Sequence, residues 1–477
     1  MKHLKEKIGY GLGDMASSMF WKIFSYYLPF FYSNVFGLSL VDAGVLVVIT
    51  RIWDAISDPM MGIVADRTHS RWGKYRPWLL WMAVPFSVCG VLLFTTPDLA
   101  YAGKLVWAYV TYVLMMTVYT GINVPYGAIL GVITDNPDEK TEYSSFRMIF
   151  AYAGSFVALA SWEPLCTMFR DTFGADIRQS WQLAMAVIAV ACCVLFICCF
   201  KATRERLHTV SSVSVGADFK ALLRNRPWWI LIGAALCYNM FSTVRGATVA
   251  YFFVEVIGNN AYLDFGGVSI LFYSGLFLGI GEIANMAGVA LAMPVTARLG
   301  KKTTFILVNA MLVVFSTLFF FVPVSTSGYM IMMILQVLIS LLTGMMSPLV
   351  WSMYADVSDY SELRNHTAST GLIFSSSSMA QKFGSAFGGW AVLSLLGMFG
   401  YVADADVAQS SEAVAGLWLL MSMIPALVSL IAIVVVSFYP LNTRRVRIIV
   451  DRLRQRRAAA AEPASYYEMT DYADTNN

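Results

Sequence analysis

Two carboxylates lie one helical turn apart inside an apolar stretch of the chain. Asp54 and Asp58 interrupt residues 43–63, which otherwise have the composition of a membrane span. A spacing of four residues places both side chains on one face of a helix. A charge at bilayer depth costs a few kcal/mol or more, so an unpaired acidic pair there would be unfavourable. Two acids that share a cation avoid that cost, and the spacing therefore predicts a cation site in an ion-coupled transporter.

The composition places most of the chain in the membrane. Of its 477 residues, 58% are hydrophobic and 13% are charged, and the mean hydropathy is +0.63. Soluble domains carry about 25% charged residues. The seven cysteines lie in or beside apolar segments without metal-ligand spacing to histidine, which predicts buried free thiols. No nucleophile–base pair, metal cluster or phosphate loop is visible, so we predict no enzyme activity, no cofactor and no nucleic-acid partner.

Twelve apolar segments are long enough to cross a bilayer, since a helical span needs roughly 20 residues. These segments are too long for barrel strands, and only helices or closed barrels satisfy the backbone in lipid. The sequence therefore predicts an all-α integral membrane protein. The predicted spans are 10–36, 41–65, 77–96, 104–133, 144–167, 180–201, 227–256, 266–296, 303–323, 328–355, 369–398 and 412–438.

Basic residues are unevenly divided between alternate loops. They cluster after the second, sixth and eighth spans and in the tail, whereas the opposite loops carry only Lys104, Arg170 and Arg178. Basic loops stay in the cytoplasm, which puts both termini there. The predicted domains are a six-helix bundle at 1–201, a central cytoplasmic loop at 202–226, a second six-helix bundle at 227–440, and a basic, then polar, cytoplasmic tail at 441–477.

Several motifs resemble one family of transporters. Gly62-x-x-x-Asp66-Arg67 is the loop signature of the major facilitator superfamily. The longer string from Asp54 to Pro77 is more specific. It resembles the glycoside–pentoside–hexuronide:cation symporter family, the group of the melibiose permease. The matches extend from residue 7 to about 440.

The resemblance implies a fold and a function. The fold is two pseudo-symmetric six-helix bundles around a central cavity that opens to one side at a time. The function is symport of a sugar, glycoside or oligosaccharide with Na⁺ or H⁺ by alternating access. The implied protein is a monomer in the lipid bilayer of a bacterial cytoplasmic (inner) membrane.

The resemblance also implies roles for individual residues. Asp54 and Asp58 align with the family's cation carboxylates, where Na⁺ could bind, and Thr120 aligns with a threonine that helps to ligate sodium. Lys382 aligns with an intramembrane lysine near the cation and sugar sites. Arg147 aligns with an arginine at the sugar pocket.

Departures from the melibiose permease change these expectations. Ser18 and Asn123 stand where that permease has two sugar-gripping aspartates, and Gly127 stands where it has a stacking tryptophan. The pocket is therefore not built for the same galactoside pose. Ser57, a further candidate cation ligand, replaces an asparagine that favours sodium, which leaves the coupling ion open.

Other polar or aromatic residues within spans are candidate substrate contacts. Lys22 lies near the middle of the first span, facing a cavity, where it would contact substrate or Asp54. Trp21 could stack on a sugar ring or pack in the core. Asn123 and Tyr119 could contact sugar hydroxyls or join helices. Gln381, next to Lys382, is a further candidate sugar contact.

Two more groups of charges need an explanation. Arg245 and Glu282 either pair with each other within the membrane or line the cavity. The second group lies in the predicted cytoplasmic loops and at the helix ends beside them. It predicts a cytoplasmic gate, in which charge-assisted hydrogen bonds break as the two bundles rock. The alternative is that the basic residues of this group only set the orientation of the protein in the membrane. The candidate gate residues are Asp66, Arg67, Arg71, Lys74, Asp356, Asp359 and Glu362.

Alternative functions remain open at this point. A cation-coupled lysolipid transporter would have the same fold, but the polar set of candidate contacts favours a hydroxyl-rich ligand. A sugar sensor would bind without translocating. Arg147, Lys22 and Lys382 would also admit an acidic sugar such as a hexuronide.

Overall fold

The computed structural model describes residues 4–134, 137–206, 223–258, 261–264, 267, 269–365, 370–403, 408–453 and 455. Its described elements are almost entirely helical. The helices are α1 (Leu4–Phe30), α2 (Leu40–Asp66), α3 (Arg76–Leu93), α4 (Tyr101–Ile133), α5 (Pro137–Phe173), α6 (Ile177–Ala202), α7 (Arg226–Phe252), α8 (Ser274–Leu299), α9 (Lys301–Phe320), α10 (Thr326–Asn365), α11 (Thr370–Met398), α12 (Ser411–Met421) and α13 (Met423–Ser437). Residues 443–453 form a further helix within the predicted tail.

The helices agree with the predicted spans except at two places. The eighth span was predicted from residue 266, but a two-stranded antiparallel hairpin, β1 (Tyr262–Asp264) and β2 (Ser269–Leu271), precedes α8. The twelfth was predicted as one continuous helix and is instead broken at Ser422. Alternation of apolar residues does not separate a short strand from a helix end, which explains the first error.

Nine of the described helical segments are long and apolar enough to cross a membrane. α1, α2 and α11 fall outside that set although they have 27, 27 and 29 residues. These three helices carry Lys22, the Asp54–Asp58 pair and Lys382, whose charges lower the apolar character of the segments. The count of twelve spans, like the division at 201, 226 and 440, stays a prediction.

The break at Ser422 frees a backbone carbonyl inside the twelfth predicted span. The backbone of Ser422 lies at φ −132° and ψ −76°, outside the helical region. Pro425, four residues after Met421, has no N–H group to donate to the Met421 carbonyl oxygen. That carbonyl therefore needs a donor from elsewhere, because an unsatisfied backbone group is costly in a membrane.

Arg245 of α7 provides the donor. Its Nη1 donates to the carbonyl oxygen of Met421 at 2.6 Å, and its Nη2 donates to Gln336 Oε1 at 3.0 Å. A guanidinium at the end of α12 also opposes the partial negative charge of that helix end. Arg245 therefore pairs with a helix end and not with Glu282.

We expect Arg245→Met to destabilise this broken span. The substitution leaves the Met421 carbonyl and the Gln336 amide oxygen without their buried donor, which costs about 1–3 kcal/mol. Thermal unfolding in detergent should therefore begin at a lower temperature, with a smaller loss for Arg245→Lys, which keeps the charge. An unchanged unfolding temperature for Arg245→Met would show that the break does not depend on this side chain.

The two ends of the helical bundle differ in how the two sets of helices meet. We call the end that carries residues 31–39, 253–258, 261–264 and 269–273 the distal end, and the end that carries Leu4 and residues 443–453 the termini end. Among the described residues, one apolar core runs through α1–α6 and continues into the distal parts of α7–α12. The termini-end parts of α7–α11, together with α13, have a separate core, around Trp228, Met353 and Tyr439. A shared core at one end closes the distal side.

Polar contacts reinforce the distal closure. Ser33 Oγ lies 2.8 Å from the Tyr251 hydroxyl, and Asn34 Nδ2 donates to the Tyr401 hydroxyl at 2.8 Å. Each contact joins a residue at the end of α1 to a residue beyond residue 226 in the chain. The central space therefore lies on the termini side of this layer.

Candidate functional site

The paired carboxylates of α2 lie at the junction between the two sets of helices. Asp54 is 1% exposed and accepts a hydrogen bond from Arg51 Nη1 at 3.0 Å. Lys382 of α11 forms an ion pair with Asp58, and its Nζ lies 3.8 Å from Asp54 Oδ2. A lysine from the second set of helices thus neutralises acids from the first set.

The other two predicted cation ligands lie at the same place. Thr120 Oγ1 of α4 donates to Asp58 Oδ1 at 2.9 Å, and Ser57 Oγ lies 3.4 Å from Thr120 Oγ1. Two hydroxyls therefore lie next to the Asp58 carboxylate, and Lys382 links that acid to Asp54. The sequence spacing placed Asp54, Ser57 and Asp58 on one helix face, and the packing of α2 against α4 adds Thr120.

One buried oxygen of this cluster lacks a hydrogen bond. Asp54 Oδ1 is buried and has no hydrogen-bond partner among the residues that the structure describes. A buried carboxylate oxygen without a donor is costly, and a hard cation such as Na⁺ or a proton would satisfy it. The chemistry of the donor set therefore fits a monovalent cation.

A cavity of about 180 Å³ lies between the two sets of helices. Its lining contains hydroxyl, amide and aromatic side chains together with Lys22, Glu282 and Arg245. The polar and aromatic lining includes Trp21, Tyr26, Tyr152, Tyr238, Asn239, Asn285, Gln336 and Ser340. Such a mixture of rings and hydrogen-bonding groups suits a small hydroxylated ligand.

Trp21 connects the cavity to the carboxylate cluster. Its ring lines the cavity. The Arg51 guanidinium carbon lies over the face of this ring, 5.0 Å from the ring centroid. The ring also packs on Tyr119, with the two ring centroids 5.2 Å apart. Arg51 in turn donates to Asp54, so one chain of contacts joins the cation cluster to the cavity wall.

Six of the predicted substrate contacts are absent from the described lining of this cavity. They are Ser18, Tyr119, Asn123, Arg147, Gln381 and Lys382. Arg147 donates from Nε to Asp14 Oδ2 at 2.8 Å, and Asn123 Oδ1 accepts from Ser17 Oγ at 3.3 Å. Ser18 and Gln381 are half-buried. Of the eight predicted substrate contacts, the cavity brings together Trp21 and Lys22.

Lys22 has a partner that the sequence did not assign to it. Its Nζ donates to Glu282 Oε1 of α8 at 2.6 Å and lies 3.3 Å from the Tyr26 hydroxyl. The sequence had offered substrate or Asp54 as the contact of Lys22, and Arg245 as the partner of Glu282. A contact between residues 260 positions apart leaves no local spacing signal, so only the isolated carboxylate in an apolar span pointed to Glu282.

Three of the predicted gate residues make contacts within their own set of helices. Asp356 accepts from Lys301 Nζ at 2.6 Å, the Lys74 backbone donates to Glu205 at 2.8 Å, and Arg71 stacks over Trp72. The Asp66 side chain lies outside what the structure describes. The latch between the two sets stays a prediction.

The extramembrane segment after α6 is anchored to the start of α1. Arg206 Nη2 donates to Glu6 Oε2 at 2.6 Å, and this hydrogen bond raises the pKa of the Arg206 guanidinium. The guanidinium therefore stays charged throughout the physiological range.

Glu163 of α5 connects the two sets of helices at the distal end. It was not among the predicted site residues, although a carboxylate within the predicted span 144–167 is the same kind of signal that pointed to Glu282. Ser274 Oγ donates to the Glu163 carboxylate, as do the backbone N–H groups of Ser274 and Gly275. Ser274 is the first residue of α8, whose preceding residue Tyr273 provides no side-chain cap. A carboxylate from α5 therefore caps the positive end of α8.

We expect Glu163→Gln to loosen the distal closure. Removal of the charge weakens its interaction with the α8 N-terminus by about 1–2 kcal/mol. Maleimide labelling of a cysteine placed at Asn34, in a variant without native cysteines, should become faster. Glu412→Gln is the matched control, because Glu412 is an exposed carboxylate in the first turn of α12. Equal labelling rates in both variants would show that the charge of Glu163 does not contribute to the distal closure.

The comparisons with known proteins place this geometry in a class. The crystal structure of a mutant of the nucleoside transporter NupG has a TM-score of 0.67 at 13% identity, covering 91% of this chain and 100% of that one. A bacterial homologue of the human drug peptide transporters has a TM-score of 0.66 at 12% identity, covering 95% of this chain and 100% of that one. The all-α transporter fold predicted from the sequence is confirmed.

Residues 9–443 match the family described as MFS/sugar transport protein. The chain is 35% identical to the inner membrane symporter YicJ of Escherichia coli (strain K12), covering 95% of each. It is 32% identical to the isoprimeverose transporter of Lactiplantibacillus pentosus, covering 95% of this chain and 92% of that one. The chain belongs to the MFS/sugar transport protein family and is an integral membrane transporter rather than an enzyme.

Proposed function

We propose that the protein couples the uptake of a sugar or glycoside to a cation by alternating access. The observation that carries this proposal is the cluster of Asp54, Asp58 and Lys382, in which acids of α2 share a lysine of α11. Asp54, Ser57, Asp58 and Thr120 bind the cation. Relatives named as a putative glycoside/cation symporter and an isoprimeverose transporter support this assignment.

The same contacts suggest how the cation acts on the sugar. A cation between the carboxylates displaces Lys382 and redistributes the charge that Asp54 presents to Arg51. Arg51 contacts the face of Trp21, whose ring borders the cavity. Cation binding thereby changes the wall of the sugar site. Coupling is reciprocal, so the sugar raises the affinity for the cation by the same factor.

The remaining assignments follow from the basic loops. Both termini lie in the cytoplasm of a bacterial cell, and the distal end faces outward, so the structure corresponds to an inward-facing state. The candidate gate residues then approach each other when the cavity opens outward. Ser18, Tyr119, Asn123, Arg147, Gln381 and Lys382 complete the sugar pathway beyond the cavity wall.

Uptake into proteoliposomes tests the proposal. A panel of labelled glycosides, pentosides and hexuronides is offered with an imposed inward sodium gradient or an inward proton gradient. Accumulation of one sugar under one gradient names substrate and ion together. Binding without flux would replace the proposal by a sensor, and displacement by lysolipids, without any sugar effect, would replace it by a lipid transporter.

A further inference from the structure

The Lys22–Glu282 pair joins the two sets of helices across the cavity. Lys22 belongs to α1 and is 22% exposed, whereas Glu282 belongs to α8 and is 3% exposed. Both side chains line the cavity, and Glu282 is the one carboxylate in its described lining. Neither residue belongs to the cation cluster on α2. The pair is therefore a separate charged site facing the sugar.

The pair is held in a defined orientation. Tyr26 lies beside the ammonium, with its ring centroid 5.1 Å from Lys22 Nζ. On the other side, Asn285 Nδ2 lies 3.4 Å from Glu282 Oε2, and Thr343 Oγ1 donates to Asn285 Oδ1 at 2.9 Å. A charged donor and a charged acceptor are thus presented side by side at fixed positions.

The charged groups in the described lining of the cavity are two cations and one carboxylate, and the carboxylate lies beside Lys22. Lys22 is neutralised by Glu282, and Arg245 is directed toward Gln336 and the Met421 carbonyl. A carboxylate on an incoming sugar would lie close to Glu282 and would have to compete with it for Lys22. Like charges in a region of low dielectric repel strongly. At Lys22, whose counter-charge is already present, the arrangement consequently disfavours an acidic ligand.

A neutral sugar meets no such penalty. A hydroxyl both donates and accepts, so two adjacent hydroxyls can insert between an ammonium and a carboxylate and hydrogen-bond to both. Hydrogen bonds to charged groups are about twice as strong as neutral ones. Because Lys22 and Glu282 come from different sets of helices, a sugar bound in this way contacts both sides of the cavity.

We propose that Lys22 and Glu282 form a hydroxyl-binding pair that selects neutral glycosides over acidic sugars. The proposal rests on the proposed sugar-symport function and narrows its substrate class. The pair contributes specificity, while the α2 carboxylates contribute coupling.

Competition by two sugars that differ only at C6 tests the proposal. Methyl β-D-glucoside and methyl β-D-glucuronide compete for uptake of the labelled glycoside that the proteoliposome panel identifies. In the parent protein, the glucoside should inhibit at a concentration at least about tenfold lower, which corresponds to roughly 1.4 kcal/mol. In E282Q, Lys22 loses its counter-charge. The affinity for the glucoside should therefore fall and the affinity for the glucuronide should rise, so that the glucuronide becomes the stronger inhibitor.

The double variant K22Q/E282Q is the matched control, because it removes both charges together. It should bind the glucoside more weakly without gaining affinity for the glucuronide. Where a variant no longer transports, titration calorimetry of the purified protein with the same two sugars gives the two affinities. An unchanged preference in E282Q, or a preference of the parent protein for the glucuronide, overturns the proposal. Sugar uptake that is absent from the parent protein would instead overturn the proposed function.

Discussion

Asp58→Asn should abolish cation-driven accumulation of sugar and leave exchange of sugar across the membrane. Asp58 is 29% exposed, whereas Asp54 is 1% exposed, so Asp58 is the acid that an entering cation meets first. Truncating one partner of a hydrogen-bonded charge pair costs about 2–5 kcal/mol, and roughly 3 kcal/mol lowers affinity by on the order of 100-fold. The internal sugar concentration should therefore reach but not exceed the external one.

The fold should tolerate this substitution. Asparagine keeps the shape of the side chain and an acceptor for the Thr120 hydroxyl. Lys382 still has a counter-charge, because Asp54 Oδ2 lies 3.8 Å from its Nζ. Asp54→Asn should cost more stability, because it leaves the buried Arg51 without its carboxylate.

Counterflow and gradient-driven uptake, measured on the same proteoliposomes, separate exchange from accumulation. Asp42→Asn is the matched control, since Asp42 is a half-buried carboxylate in the first turn of the same helix, and asparagine keeps an acceptor for its donors Ser39 and Tyr101. It should accumulate sugar at the parent level. Normal accumulation by Asp58→Asn would remove this residue from the coupling site.

Local spacing accounts for what the sequence could predict of the site. Asp54, Ser57 and Asp58 lie within one turn and a half of a helix, so a single helix period places them together. The family resemblance added Thr120 and Lys382, which come from other helices, and the structure brings both to the carboxylates. The fold was predictable because long apolar runs in lipid must be helical.

Contacts across the cavity could not be predicted in the same way. The partner of Glu282 is fixed by how α1 and α8 pack, whereas the sequence had offered only Arg245 as that partner. The proline after Ser422 is a local signal, but α2, α3, α4 and α5 each contain a proline and continue past it. A proline alone therefore does not distinguish a broken span from an intact one. The distinguishing contact comes from Arg245 on a different helix.

Gly275→Val should hold the distal end open and stop transport without abolishing sugar binding. A Cβ at Gly275 of α8 would lie 2.2 Å from the carbonyl oxygen of Leu159 in α5. That atom belongs to the backbone, so it cannot move aside as a flexible side chain would. Overpacking costs about 1–3 kcal/mol, which shifts a conformational equilibrium by roughly 5–150-fold. We expect α5 and α8 to separate when the distal end opens, which would relieve the clash and raise the population of the outward-open state.

Cysteine labelling and uptake report this shift separately. A cysteine at Asn34, in a background without the seven native cysteines, should react faster with a membrane-impermeant maleimide in Gly275→Val, while uptake falls. Gly131→Val is the matched control, because a Cβ at that helical position meets no atom within 4 Å. Because Gly131 is exposed on α4, that variant should label and transport like the parent protein. Slow labelling in Gly275→Val together with normal uptake would mean that α5 and α8 need not separate during the cycle, and the distal contacts would then be static packing rather than a gate.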